Sequence, residues 1–153
     1  MKVSHPRTRP AYRALIEVVR ASGLIAKAGD RVLGRHGLTQ TQFNVLMVLR
    51  YDLPRGASQT ELSRNLLVNP ADMSGLIRRM LAKGILLRED HPRDARAWSV
   101  SLSPKGRDLL SQLEPSYYSQ VEHLMGTRSE RELEGFREIL QSLETGLLSL
   151  EAA

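Results

Sequence analysis

Tyr12, Leu15, Ile16 and Val19 fall at helical spacing and predict a first helix from about residue 10 to about residue 35. Gly23 and Gly29 interrupt it, which fits either close packing against another helix or a tolerated weakness. Met73, Leu76, Ile77, Met80 and Leu81 repeat at i, i+3, i+4, i+7 and i+8, so the segment from Pro70 to Lys83 is a helix with one apolar face. Leu109, Leu110 and Leu113 continue past Pro115 into Tyr117, Val121 and Leu124, a helix that the proline is expected to bend. Leu133, Phe136, Leu140, Leu143 and Leu147 form the stripe of a last helix. Only near Trp98 does the period fall to two: Trp98, Val100 and Leu102 alternate with Ser99 and Ser101, which predicts a strand.

Helix starts are marked by side chains that accept from a backbone N–H while a residue three positions on reaches back. Thr39 with Gln42, Ser58 with Glu61, Asn69 with Asp72 and Ser129 with Glu132 fit this pattern, and Ser103 caps the helix opened by Pro104. Leu38 with Phe43 and Val68 with Met73 are placed to clamp two of these starts. Gly84 ends the Pro70 helix, and Ile85 to Arg88 read as a strand that pairs with the one at Trp98. Between the two strands lies a charged tip, Glu89 to Arg96. The order is helix, turn, helix and two-stranded wing, a shape that enters a major groove while its wing reaches an adjacent minor groove. The fold class is therefore mainly α with a small β wing: a winged helix-turn-helix lobe over 36–107, with terminal helices at 10–35 and 108–150.

The chain has 22 Lys plus Arg against 17 Asp plus Glu, and their placement matters more than the sum. Residues 1–35 carry 8 basic and 2 acidic residues, 36–75 carry 3 and 3, 76–107 carry 8 and 3, and 108–153 carry 3 and 9. The ends cancel, leaving a basic surplus on helix and wing, the footprint of a protein that displaces counterions from phosphates. The opposite ends, and the uncovered leucine stripe, point to terminal helices that bury themselves against a second copy, a homodimer. With no cysteine, disulfides, thiolate metal sites and thiol redox sensing are excluded. No apolar signal segment or membrane-length run is present, so a cytoplasmic protein without a membrane role is expected.

On the Pro70 helix, the face opposite the core holds Ala71, Gly75, Arg78 and Ala82, flanked by Ser74, Asp72 and Arg79. Small residues in the first turns permit close approach to base edges, Ser74 can bond a base or phosphate, and Arg78 can take a guanine bidentately. In the tip, an acid two residues from an arginine can hold it extended toward a narrow minor groove, or the pair can be a surface ion pair of little weight. Trp98 fits the core better than a stacking platform. The residues expected at DNA are Ser58, Gln59, Asn69, Ala71, Ser74, Gly75, Arg78, Arg79, Arg93, Asp94 and Arg96. The four histidines, His5, His36, His91 and His123, lack the spacing of a helical metal pair, and no phosphate loop or nucleophile elbow occurs. Neither an enzyme nor a cofactor or metal site is expected. The rival reading is a winged helix that docks protein partners without specific DNA binding.

The runs RHGLTQTQFNVLMVL, SQTELSRNLLVNPADMSGLIRRMLAKGILLRE and DHPRDARAWSVSLSPKGRDLL resemble the MarR family of bacterial winged helix-turn-helix regulators. The most specific stretch is Asp94-x-Arg96 followed by Val100-Ser101-Leu102-Ser103-x-x-Gly106. The resemblance implies an obligate homodimer joined by its terminal helices, a recognition helix in each of two major grooves, and wing arginines in the flanking minor grooves. By position, Arg96 matches the wing arginine, Asp94 its orienting acid, and Arg79 an arginine that braces the fold. Gly75 and Arg78 depart from the family, where a basic residue and an aspartate are common. The resemblance further implies a cleft for a small aromatic or phenolic effector, with Tyr12, Arg13, Phe43, Met47, Tyr51, Leu113 and Tyr117 as nominal lining. Most of these fit plain core equally well.

Overall fold

The structure, a computed structural model, describes residues 9–91 and 94–151; the side chains of residues 91, 94–97 and 151 lie outside that description. The elements are α1 (Pro10–Gly34), α2 (Gln40–Met47), a π-helical turn (Val48–Asp52), α3 (Gln59–Leu66), α4 (Pro70–Ala82), β1 (Leu86–His91), β2 (Asp94–Leu102), α5 (Pro104–Met125) and α6 (Glu130–Glu151). The fold is mainly helical with a two-stranded antiparallel wing. Two compact units divide between Leu110 and Ser111.

In the first unit, α2, α3 and α4 gather a shared core. Phe43, Val45, Leu46, Leu62, Met73, Ile77, Met80 and Val100 are fully buried. Burying each of the larger side chains stabilises by about 1.5–3 kcal/mol. The caps set where the helices begin. Thr39 and Gln42 form a reciprocal pair at the start of α2, and Ser58 and Glu61 do the same for α3. At α4 the cap is one-sided: Asn69 Oδ1 accepts from the Ala71 N–H at 2.8 Å, without a reciprocal bond from Asp72 among the described residues. Gly29 on α1 gives its neighbour room, since a Cβ there would overlap the Gln40 side-chain oxygen, whereas Gly23 faces open space.

After α2, the Leu53 N–H reaches back to the Val48 carbonyl, a π-type closure, and Pro54 ends the helix. Gly56, at φ +94°, turns the chain so that Ala57 exchanges both backbone hydrogen bonds with Val100, at 2.9 and 2.8 Å. This bridge beside β2 had no signature in the hydrophobic pattern. A Cβ on Gly56 would crowd the Val100 carbonyl at 3.0 Å, so the turn needs glycine for both space and conformation.

The second unit comprises the rest of α5 and α6. Ser129 and Glu132 cap α6 reciprocally. Phe136, Ile139, Leu147, Leu148 and Leu150 stand exposed along it. Helix α5 is continuous through Pro115, although the ring removes one backbone donor from its interior.

Candidate nucleic-acid interface

The turn between α3 and α4 is fixed at both ends. Leu67 takes the left-handed conformation at φ +51°, and the N–H groups of Leu67 and Val68 both close on the Ser63 carbonyl. Across the turn, Gln59 Nε2 donates to the Pro70 carbonyl at 2.8 Å, tying the first turn of α3 to that of α4. The Ser58 hydroxyl is engaged with Glu61, both accepting its N–H and donating to its carboxylate at 2.7 Å. These bonds, the Ser58 backbone N–H foremost and then its hydroxyl and Arg64, hold the Glu61 carboxyl below its ordinary value. Ser58, expected at DNA, is thus employed in starting α3, and Gln59 and Asn69, also expected there, in setting the angle and start of α4.

Helix α4 divides as its periodicity predicts. Met73, Leu76, Ile77 and Met80 are buried, Leu81 is half-buried, and Ala71, Asp72, Ser74, Arg78, Arg79 and Ala82 are exposed. Gly75 lies on the exposed side, and the Arg79 guanidinium folds back over it: a Cβ there would sit 3.3 Å from Arg79 Nη1. Arg78 has no hydrogen-bond or ion-pair partner among the described residues. Its five donors project from the uncovered face.

The far end of α4 is closed by a Schellman arrangement, with the Ile85 N–H on the Met80 carbonyl and the Gly84 N–H on the Leu81 carbonyl, Gly84 standing at φ +69°. Ser103 Oγ donates to the Gly84 carbonyl and accepts from the Gly106 N–H, while Lys105 Nζ donates to the Lys83 carbonyl at 2.8 Å. The end of α4, the base of the wing and the start of α5 therefore form one hydrogen-bonded junction.

From that junction the wing extends further than expected. The strands reach His91 and begin again at Asp94, so most of the charged tip is strand rather than loop. Leu86 pairs with Leu102, Arg88 with Val100, Asp90 with Trp98 and His91 with Asp94. Between the last two pairs β1 advances by one residue and β2 from Trp98 to Asp94, so Ala95, Arg96 and Ala97 form an irregularity in the ladder. Cross-strand side chains explain how charged residues hold strand geometry: the Ser101 hydroxyl donates to Glu89 at 2.7 Å, and the Arg88 guanidinium lies 4.9 Å from the Trp98 ring centre. Trp98 is half-buried under Arg88, neither core nor bare platform. Arg93 and the side chains of Asp94 and Arg96 lie outside the described residues.

Comparison with known proteins decides the family. The model of the MarR family matches residues 36–97, which span α2, the helix-turn-helix and most of the wing. The repressor YetL of Bacillus subtilis is 30% identical over 70% of this chain, and the transcriptional activatory protein BadR of Rhodopseudomonas palustris is 31% identical over 72%. The chain spans 64% of YetL and 66% of BadR. A crystal structure of MepR from S. aureus in complex with DNA superposes with a TM-score of 0.77 at 21% identity, covering 89% of this chain and 97% of that one. This chain belongs to the MarR family of winged helix-turn-helix transcriptional regulators. For this MarR-family chain, the segment Ser103-x-x-Gly106 now has a physical account. Ser103 caps α5 while holding Gly84, and a Cβ on Gly106 would overlap the Ile85 carbonyl oxygen.

The nominal effector-lining residues take different positions. Tyr12 and Arg13 line a shallow groove along α1 with Ile16, Glu17 and Arg20. Phe43 has no exposed surface and is a core residue in this state. Met47 is half-buried, and Tyr51 is exposed with the Arg50 guanidinium 5.8 Å from its ring centre. In the second unit, Leu113 is buried, and Tyr117 is half-buried with its ring edge-on to Tyr118, 5.9 Å between centres.

Among the described residues no group of three His, Asp or Glu side chains converges as a metal-ligand set. None of the described helices is long and apolar enough to cross a membrane.

Proposed function

We propose that this MarR-family protein is a homodimeric repressor that binds a palindromic operator in double-stranded DNA. It does so with α4 in the major groove and the wing, through Arg93 and the Asp94–Arg96 pair, toward the flanking minor groove. The observation that carries the reading is the uncovered face of α4. Arg78 stands there without a partner among the described residues, beside small residues that admit close approach, and Gln59, Asn69 and Gly84 fix the helix at both ends. The apolar face exposed on α6 supports pairing of terminal helices, 10–35 and 108–150, between two copies. The protein acts in the cytoplasm, on the nucleoid when bound.

A small aromatic or phenolic effector that releases the DNA belongs to the same proposal. Its support is the groove along α1, where Tyr12 offers a ring and Arg13 a cation. The basic surplus on helix and wing favours a polyanion over the rival protein-docking module. A gel shift on the protein's own promoter fragment at several salt concentrations tests the reading: binding should weaken steeply with salt. Absence of any shift at low salt refutes it.

A further inference from the structure

The wing carries a cationic device that lies outside the residues assigned to DNA above. Arg88 and Trp98 are not register partners: Arg88 faces Val100 and Trp98 faces Asp90. Their side chains nevertheless meet diagonally, the guanidinium carbon 4.9 Å from the indole centre. Both belong to the sheet face that also carries Leu86, Val100 and Leu102, which are buried. Two residues further out the same face is no longer covered, and the Arg88 side chain is 55% exposed.

A ring-face contact of this kind draws on the charge of the guanidinium. It restrains the long side chain and leaves the planar fork for two oxygens of one anion. The described acids nearby, Glu89 and Asp90, do little to occupy it. Asp90 Oδ1 lies 3.8 Å from Arg88 Nε, beyond hydrogen-bond length, and its side chain is 82% exposed, so the pair is weak and screened. Glu89 points to the opposite face, where its carboxylate accepts from Ser101. The wing joins α4 directly through Gly84, so this fork is attached to the helix that presents Arg78.

We propose that Arg88, held on the Trp98 indole, is a phosphate-binding residue of the wing that takes one backbone phosphate of duplex DNA per protomer, with Trp98 as its positioning residue. The inference rests on the DNA-binding reading and adds to it a contact blind to sequence. Trp98 is the sole tryptophan of the chain and so reports on its own stacking partner.

The test uses a mixed-sequence 30-base-pair duplex, because a phosphate contact does not require the operator. Titration into the full-length protein at low salt should change the Trp98 emission as the guanidinium engages phosphate. Arg88→Ala should bind the duplex roughly tenfold more weakly, and its salt slope should be shallower by about one counterion per protomer. Arg88→Lys keeps the charge but not the planar fork and should fall between, while Arg137→Ala on α6 should match the native chain. Urea midpoints of all variants separate weakened binding from unfolding. If the native protein binds but its emission stays constant, or Arg88→Ala keeps the native affinity and slope, Arg88 is structural and the inference falls while the DNA-binding reading stands. If the native protein binds no duplex at low salt, both fall.

Discussion

The hydroxyl of Ser103 donates to the carbonyl of Gly84 at 2.7 Å, joining the glycine that closes α4 to the cap of α5. The same oxygen accepts from the Gly106 N–H at 2.8 Å, and the Ser103 N–H closes on the Ile85 carbonyl at 3.2 Å. One buried serine therefore satisfies the backbone at the exit of α4, at the base of β1 and at the entrance of α5. Ser103→Ala leaves a carbonyl and an amide without partners and should cost about 1–3 kcal/mol in urea denaturation. Gly106→Ala adds steric overlap with the Ile85 carbonyl and should cost at least as much. Native midpoints for both variants would show that the junction does not hold the wing.

What was legible in the sequence follows from range along the chain. Thr39 with Gln42, Ser58 with Glu61 and Ser129 with Glu132 act across three residues, so their spacing alone exposed three helix starts. The buried face of α4 was legible because its period is that of the helix itself. Contacts between distant residues were not: Gln59 with Pro70, Ala57 with Val100, Arg88 with Trp98 and Ser103 with Gly84 exist only once the turn and the strand register are set. For the same reason the wing was read too short. The charges of Glu89 to Arg96 argue for a loop locally, and cross-strand partners override that preference. At the site, the α4 face was readable from rotation and the caps at Ser58 and Asn69 from spacing, whereas the tie from Gln59 to the Pro70 carbonyl was not.

Leu67 is the one described residue other than glycine at positive φ, and it is 65% exposed. Leucine is disfavoured there by its Cβ, and asparagine tolerates the conformation better. Leu67→Asn should raise stability by up to about 1 kcal/mol, and Leu67→Val should lower it. Thermal melts with the order reversed would contradict the backbone assignment of the turn.

Glu61 is held below the ordinary carboxylate value of 4.5 by the Ser58 N–H, then by its hydroxyl. A depressed folded value means the cap contributes fully above the unfolded value, and that its contribution is lost as pH falls from near 4.5 through the lower folded value. Native protein should therefore lose part of its stability in that acidic window, and Glu61→Gln should lose less there while being less stable at neutral pH. Parallel pH profiles for the two proteins would count against the carboxylate cap.

Phe136, Leu147 and Leu150 stand exposed along α6, so a chain truncated after residue 126 should fail to form the proposed dimer. Light scattering should report a monomer or an aggregate. A soluble dimer of the truncated chain would move the interface elsewhere.

Selection of bound duplexes from a random-sequence pool, run with the native protein and with Arg78→Ala, tests sequence-specific binding by α4 most directly. The native protein should enrich a palindrome with half-sites about 10 base pairs apart, each holding a guanine that Arg78→Ala no longer selects, at a cost of about 1–3 kcal/mol on the enriched site. A pool indistinguishable from its input, or an unchanged consensus with Arg78→Ala, would contradict the reading of α4 as the helix that selects sequence through Arg78.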